Sequence, residues 1–274
     1  MQHLVDVMAP EATRGQLERV HDSEHIDFIT GVSPRRGMIH LDADTAMNPH
    51  SLSAALHAAG AVVKGVDLVM DGNVTNAFCS VRPPGHHACR GRPMGFCLFN
   101  NVAVGAAHAL EARGLDRVAI VDFDVHHGNG TEDIFADDER VLMVSTFQHP
   151  FYPYSGSEGR SERMVNIPLA AHSGGAEFRK AVDDLWMPAL REFAPQMIFV
   201  SAGFDAHRDD DMASLAFVED DFAWVTVRIM EAAAGSAEGR IVSSLEGGYD
   251  LPSLARSVQV HIRQLAGVTG PCGL

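Results

Sequence analysis

The chain has 274 residues, of which 46% are hydrophobic and 21% are charged, as in a globular rather than a disordered protein. The formal net charge of −15 argues against nonspecific binding to nucleic acid. No apolar run approaches about 18 residues, and the N-terminus has no basic start followed by an apolar core, so we expect neither a membrane span nor a secretory signal. Four cysteines without CxxC spacing are typical of a reduced cytoplasmic protein.

The first half of the chain predicts mainly helices. Apolar residues recur at helical spacing in four segments, and one apolar run has the length of a strand. The predicted helices cover 16–21, 26–30, 51–65 and 101–113, and the strand covers 77–81. Ser51 is expected to cap the third helix, and Gly65 and Gly114 to end the third and fourth. A polar loop is expected at 40–51.

The second half alternates short apolar strands with amphipathic helices. Strands are predicted at 118–121, 141–144, 166–169, 197–200 and 241–245. The helices between them include one in which Pro188 should cause a kink, one over 221–234, and a last one opened by Pro252. The strands are apolar throughout rather than alternating. The sequence therefore predicts an α/β fold, a single domain of three layers with helices on both faces of a parallel sheet.

The stretch VAIVDFDVHHGNGT, at 118–131, changes abruptly from an apolar strand to acids, histidines and glycines. Asp122, Asp124 and His126 are spaced two apart, which places their side chains on one face of an extended segment. Carboxylates beside an imidazole suit a divalent transition metal such as zinc. The alternative at this point is a strand end with a polar turn and surface histidines.

Polar or aromatic residues follow five of the predicted strands in the same sense. In parallel sheets, ligands bind beyond the carboxyl ends of the strands. We therefore expect one site that collects the residues after these strands, namely His86, His87, Asp122, Asp124, His126, Phe151, Tyr152, Asp205 and Tyr249.

Five motifs resemble the histone deacetylase family, which includes bacterial histone deacetylase-like amidohydrolases, acetylpolyamine amidohydrolases and acetoin-utilisation proteins. They are RPPGHHA at 82–88, GFCLFNN at 95–101, DFDVHHGNGT at 122–131, SAGFDAH at 201–207 and LEGGY at 245–249. The resemblance runs over about 42–265. It implies the arginase/deacetylase-like fold and a zinc-dependent deacetylase that acts on acetyl-lysine or acetylated polyamines.

The resemblance also implies a metal centre and a pair of catalytic histidines. Asp124, His126 and Asp205 match the zinc ligands, and iron(II) is the alternative metal. Three protein ligands leave open positions, as a catalytic site requires. His87 matches the general base and later general acid, with His86 as its electrostatic partner.

Three further residues match parts of the catalytic apparatus. Tyr249 matches the tyrosine that donates a hydrogen bond to the developing oxyanion. Asp122 matches the carboxylate behind His86. Asn129 stands where the class I branch carries an aspartate, as in the class II branch. An amide supplies no negative charge, so His87 should be less basic than it would be with aspartate.

The substrate channel and two structural potassium sites follow from the same resemblance. Gly95, Phe96 and Tyr152 match the narrow channel for an acyl-lysine stem, although the family more often has phenylalanine at the position of Tyr152. Met212 matches a position near the channel mouth, and Asp44 one that contacts the substrate backbone. The implied potassium sites involve Asp122, through its backbone, and Ser145 in one case, and Phe135, Asp138 and Val141 in the other.

Relatives usually carry an N-terminal strand, loop and helix before the region that matches Gln16, and this chain begins too late to include them. We therefore predict one histone deacetylase-like domain over 1–274 that lacks those elements. We expect a cytoplasmic protein, compatible with a homo-oligomer, that binds acetylated lysine peptides or polyamines and neither nucleic acid nor membranes. His108, His127, His207 and Cys97 are expected to be packed rather than catalytic.

Two other functions remain open on the sequence. An arginase-like ureohydrolase needs two manganese ions and a second aspartate two residues after Asp205, where His207 stands. A non-catalytic acyl-lysine binder predicts loss of a metal ligand or of the tyrosine, and this chain retains all of them.

Overall fold

A six-stranded, all-parallel sheet forms the centre of the fold in the computed structural model, which describes residues 4–158 and 162–268. Cys272 lies outside the described residues. Two short strands form a separate antiparallel hairpin, β1 (Ile39–His40) and β2 (Ala46–Met47). The sheet strands are β3 (Asn76–Cys79), β4 (Val118–Asp122), β5 (Val141–Gln148), β6 (Met164–Leu169), β7 (Met197–Ala202) and β8 (Ile241–Leu245), in the order β3-β8-β7-β4-β5-β6.

Helices cover both faces of this sheet. They are α1 (Arg14–Leu17), α2 (Ser23–Val32), α3 (Ser51–Met70), α4 (Asn101–Glu111), α5 (Asn129–Phe135), α6 (Gly175–Ala181), α7 (Met187–Phe193), α8 (Glu219–Ser236) and α9 (Leu251–Leu265). The first five pack on one face and the last four on the other. Along β4, Val118 and Ile120 enter the first core, whereas Ala119 and Val121 enter the second. The predicted three-layer α/β fold is confirmed.

The third helix is longer than predicted. His50, not Ser51, is its N-cap residue, and the helix continues past Gly65 to Met70. Gly65 is buried, and a Cβ at that position would lie 3.1 Å from the Cγ1 atom of Val242. This glycine therefore permits close packing of α3 on the sheet, and the prediction that it ends the helix was wrong.

The same helix is the one helix among the described residues that meets the length and composition criteria for a membrane span, which the search for apolar runs did not anticipate. Half of its most apolar 18-residue window is buried inside the protein. It packs against α4, β3 and β8. A core helix of this length passes the same criteria, because its apolar residues face protein on several sides.

The expected irregularity near Pro188 lies one turn earlier than predicted. The chain is helical from Gly175 to Phe193, but Val182–Trp186 forms π-helical turns between α6 and α7. Pro188 has no N–H to donate to the carbonyl oxygen four residues before it, so the chain widens its turns ahead of the proline.

Smaller differences affect the ends of other elements. The helical pattern at 16–21 gives only α1, which ends at Leu17, whereas α2 is longer than predicted. Strand β3 ends at Cys79 and β5 continues to Gln148. The polar loop at 40–51 contains β2 and the end of β1, which apolar patterning could not reveal in strands of two residues.

The buried imidazole of His261 makes the fold sensitive to acid. It lies between the hydroxyls of Thr226 (2.7 Å) and Ser243 (2.9 Å), and burial lowers its pKa to about 3. The unfolded histidine titrates near 6.5, so this stabilisation is complete above pH 6.5 and is lost as the pH falls towards 3. Urea unfolding should show the wild-type advantage over His261→Asn shrinking by about 1.4 kcal/mol per pH unit below 6.5. A constant difference would contradict this assignment.

Candidate active site and metal centre

The site lies where the order of the strands reverses. Strand β4 pairs with β5 on one side and with β7 on the other. The strands that follow β4 in the chain are therefore placed first on one side of it (β5, β6) and then on the other (β7, β8). Such a point leaves a crevice at the carboxyl ends of the strands. The loops after β4, β7 and β8 supply Asp124, Asp205 and Tyr249 to this crevice, as the sequence predicted.

A buried group of two carboxylates and one imidazole forms at this crevice. Ligand atoms of Asp124, His126 and Asp205 all lie within 4.8 Å of one another. Asp124 and Asp205 are each 1% exposed, and His126 is 7% exposed. In the part of the chain that the structure describes, no other group of three such residues is close enough to hold a metal.

Local hydrogen bonds hold this group in shape. Strand β4 ends at Asp122, so Asp124 and His126 lie in the bend that follows it. Asp124 Oδ1 accepts from the backbone N–H of His126 (2.8 Å), and Asp205 Oδ1 accepts from that of Val125 (3.0 Å). Gly247 permits close contact, because a Cβ there would lie 1.9 Å from Asp205 Oδ2.

One carboxylate oxygen of this group has no hydrogen-bond partner among the described residues. His126 Nδ1 is 2.9 Å from Asp124 Oδ1 and 3.4 Å from Asp205 Oδ2. Asp205 Oδ2 accepts no hydrogen bond among the described residues. Burial and the nearby Asp124 carboxylate raise the pKa of Asp205. Burial alone would lower the pKa of His126, but the two carboxylates raise it to about 10. A buried oxygen without a donor beside a second carboxylate fits a divalent cation.

The adjacent histidines His86 and His87 have opposite electrostatic surroundings. Their ring centroids are 4.1 Å apart. His86 Nδ1 is 3.0 Å from Asp122 Oδ2; burial opposes ionisation of the ring, but Asp124 and Asp122 raise its pKa well above the usual value. Burial and the neighbouring imidazoles of His86 and His126 lower the pKa of His87 well below the usual value. His87 is therefore neutral at pH 7 and able to accept a proton.

Asn129 fixes which nitrogen of His87 accepts that proton. Its Oδ1 atom is 2.7 Å from His87 Nδ1, and its amide nitrogen donates to the sulfur atoms of Met94 (3.2 Å) and Cys89 (3.4 Å). With the amide oriented in this way, Nδ1 of His87 must be the donor. The lone pair of the neutral ring is therefore on Nε2.

Tyr249 follows β8 and lies close enough to this group for its carboxylates to influence the hydroxyl. Burial and the carboxylates of Asp205 and Asp124 raise the pKa of its hydroxyl, which therefore stays protonated at neutral pH. The Arg82 guanidinium lies 5.5 Å from the centre of its ring, and the Phe96 ring lies 6.0 Å from it.

Aromatic and glycine residues form the walls around the histidines. Gly95 has φ +56°, and a Cβ there would lie 2.3 Å from the Cδ2 atom of His87. The Tyr152 ring stands edge-on to His87, with centroids 5.3 Å apart. Burial and the nearby Asp44 and Asp42 carboxylates raise the pKa of that tyrosine. Asp44 also accepts from the backbone N–H of Gly95, and Met212 is half-buried in the loop after β7.

Sequence reasoning missed two buried carboxylates. Glu246 Oε2 accepts from the backbone N–H groups of Gly85 (2.6 Å) and His86 (3.2 Å), and burial raises its pKa to about 7. Asp210 accepts from three backbone N–H groups, including that of Tyr249. The available signal for Glu246 was an acid placed directly between the predicted strand at 241–245 and two glycines.

The residues matched to potassium sites lie in two places. Asp122 and Ser145 are paired across β4 and β5, and the buried Ser145 hydroxyl has no hydrogen-bond partner among the described residues. Phe135, Asp138 and Val141 share one turn, in which the Asp138 carboxylate is paired with Arg140 at 2.7 Å.

The histidines expected to be packed are all buried and engaged elsewhere. His127 lies between Ser155 (2.8 Å) and Glu132 (2.9 Å). His108 pairs with Asp67, and His207 lies 3.5 Å from Glu219. Cys97 is fully buried, and burial raises the pKa of its thiol. None of these four belongs to the metal-ligating group.

Comparison with known proteins is consistent across sequence and structure. A family model described as "Histone deacetylase domain" matches residues 1–265. The histone deacetylase-like amidohydrolase of Pseudomonas aeruginosa is 36% identical over 95% of this chain and 70% of its own length. The polyamine deacetylase HDAC10 of Homo sapiens is 36% identical over 98% of this chain and 42% of its own length.

A solved structure titled "Crystal Structure of HDA15 HD domain" matches with a TM-score of 0.90 and 36% identity, covering 97% of this chain and 77% of that one. The chain spans only 14% to 66% of the length of several other curated deacetylases. The family model covers almost the whole chain, and the match to the Pseudomonas protein covers more than two thirds of both proteins. The chain belongs to the histone deacetylase family.

Proposed function

We propose that this chain is a zinc-dependent deacetylase that hydrolyses the acetyl amide of acetyl-lysine side chains or acetylated polyamines. The observation that carries the proposal is the buried group of Asp124, His126 and Asp205, with one unpaired carboxylate oxygen, beside the neutral His87. The His87 and His126 rings have centroids 5.5 Å apart, so a water and an amide carbonyl near the metal ligands would also be near the base.

Asp124, His126 and Asp205 would hold the metal, and their mixed oxygen and nitrogen ligands suit zinc, with iron(II) as the alternative. A divalent cation bound there would polarise the amide carbonyl and lower the pKa of water. The three side chains are buried and held by backbone N–H groups, which keeps them in place for such an ion.

His87 would move the proton. Its Nε2 atom takes a proton from the attacking water and later gives it to the amine nitrogen as the C–N bond breaks. His86, paired with Asp122, is the charged neighbour whose field lowers the pKa of His87. Tyr249 would donate its hydroxyl hydrogen to the oxygen that gains negative charge, and its raised pKa keeps that hydrogen available.

The walls around His87 favour a slender acylated amine. Gly95 and Tyr152 lie against His87, and the Phe96 ring lies against Tyr249. These apolar surfaces suit the methylene stem shared by acetyl-lysine and acetylated polyamines. The net charge of −15 is compatible with a cationic substrate. We extend the proposal to a structural potassium ion at Ser145, whose buried hydroxyl has no hydrogen-bond partner in the described parts of the chain.

Acetate release tests this function. Zinc-loaded protein is offered an acetyl-lysine peptide and an acetylated polyamine in parallel, with and without a hydroxamate chelator. We expect release that the chelator abolishes, and the preferred amine would identify the substrate class. No release from folded, metal-bound protein would overturn the proposal and leave an acyl-lysine binder.

Asn129→Asp should change the pH dependence of this reaction. A carboxylate 2.7 Å from His87 Nδ1 would raise the pKa of that ring, by about 1 to 2 units for a charge at this distance. The base must be neutral to act, so the acidic limb of the kcat/KM profile should move to higher pH. Profiles from pH 5 to 9 for wild type and variant check this. Superimposable acidic limbs would show that His87 is not the titrating base.

A further inference from the structure

Asp210 is a buried carboxylate whose partners are all main-chain groups. It is 4% exposed and lies in the loop after β7. Its Oδ2 atom accepts from the backbone N–H groups of Tyr249 (2.6 Å) and Asp250 (3.0 Å), and its Oδ1 atom accepts from that of Met212 (3.0 Å). Among the described residues, no arginine, lysine or histidine forms an ion pair with it, although Asp209 beside it pairs with Arg256.

The segment that Asp210 holds lies between strand β8 and helix α9, outside regular secondary structure. Two glycines, Gly247 and Gly248, come immediately before Tyr249, and Gly248 has φ +134°, a conformation open only to glycine at low energy. Helix α9 begins at Leu251, capped by the side chain of Asp250. Gly247 is held by its own N–H, which donates to Asp124 Oδ2 (2.8 Å), and Tyr249 follows two residues later, just before the helix. The N–H of Tyr249 is held by Asp210 rather than by secondary structure.

We propose that Asp210 is a positioning residue that sets the direction of the Tyr249 side chain. A carboxylate that accepts from two consecutive N–H groups fixes the orientation of the peptide plane that leads to Tyr249, and hence the direction of its Cα–Cβ bond. Asp210 lies on the same loop as the proposed metal ligand Asp205, so its hydrogen bonds to Tyr249 and Asp250 join that loop to the segment that carries the tyrosine. The inference rests on the oxyanion role proposed above for Tyr249.

A small displacement of a reacting group has a large effect on rate. A misplacement of about 1 Å lowers turnover by about 10²-fold. We therefore expect Asp210→Ala to lower kcat by about 10- to 100-fold, with KM changed by less than about threefold, because the hydroxyl is misdirected while the channel walls remain. Asp210→Asn keeps one acceptor oxygen but places an amide N–H against a donor. Its kcat should therefore lie between the values for wild type and Asp210→Ala.

A double-mutant cycle separates positioning from a general structural role. In a Tyr249→Phe background there is no hydroxyl to direct, so adding Asp210→Ala should lower kcat by less than about twofold. Metal content should equal that of wild type in every variant. Asp209→Ala removes the neighbouring surface carboxylate and serves as the matched control, with wild-type kcat expected.

Two results would overturn the inference: wild-type kcat for Asp210→Ala, or an equal loss of kcat from Asp210→Ala with and without the Tyr249 hydroxyl. If Asp210→Ala fails to fold, the same cycle is run with Asp210→Asn. Wild-type kcat for Tyr249→Phe alone would instead refute the proposed role of the tyrosine, so the two failures are distinguishable.

Discussion

Replacing Tyr249 with phenylalanine is expected to lower kcat for deacetylation by about 10²- to 10³-fold, the usual effect of removing one oxyanion donor. The ring would remain between Arg82 and Phe96, so the shape of the site should be preserved. Only the hydrogen bond that forms as charge develops on the amide oxygen is lost. KM and metal content should therefore stay close to the wild-type values.

Steady-state kinetics and metal analysis on the same preparations check this expectation. Tyr154→Phe is the matched control, since Tyr154 is 75% exposed and the chemical change is identical. Full turnover by Tyr249→Phe would remove the tyrosine from the mechanism. A variant that loses turnover together with its metal would point to damage at Asp124 or Asp205 instead.

Asp205→Asn should abolish both metal binding and turnover. The substitution keeps Oδ1 for the Val125 N–H but replaces the unpaired Oδ2 with an amide nitrogen, which cannot be a metal ligand. Because a catalytic metal contributes several kcal/mol of transition-state stabilisation, activity should fall by roughly 10³-fold or more.

Thermal unfolding gives a second readout that does not depend on activity. Zinc at 100 times its Kd should raise the wild-type Tm by about 5 to 10 °C, since binding to the folded state then adds about 2.7 kcal/mol. The Tm of Asp205→Asn should not respond to zinc, whereas that of Asp209→Asn, on the same loop but at the surface, should respond fully. An equal shift in Asp205→Asn would place the metal elsewhere.

The arrangement of the site could be predicted because chain direction and strand polarity constrain it. An apolar strand followed by acids or histidines places those side chains at the carboxyl edge of a parallel sheet wherever the strand pairs. The sequence alone could therefore predict that Asp124, His126 and Asp205 lie close together, without knowledge of the strand order. The distances between these side chains could not be predicted, because they depend on the hydrogen bonds that Val125 and Gly247 make across the crevice.

Asp210 and Glu246 show where such reasoning fails. Asp210 is one of three consecutive acids at 209–211, a pattern typical of a solvated loop. Only the tertiary structure shows that the middle carboxylate forms no surface ion pair among the described residues. It accepts hydrogen bonds from backbone N–H groups instead. Gly65 is a similar case. A glycine late in a helical pattern is compatible both with the end of the helix and with close packing of the helix on its neighbours.

The Glu246 carboxylate has opposite effects on the support of His86 and on the stability of the fold. Its Oε2 atom accepts from the backbone N–H groups of Gly85 and His86, and its Oε1 atom accepts from the Ser201 hydroxyl. Its pKa is about 7 in the fold and near 4.5 in an unfolded chain, so its contribution to stability is full below pH 4.5 and declines by about 3 kcal/mol as the pH rises to 7. At neutral pH the carboxylate that holds the His86 backbone therefore lowers the stability of the fold.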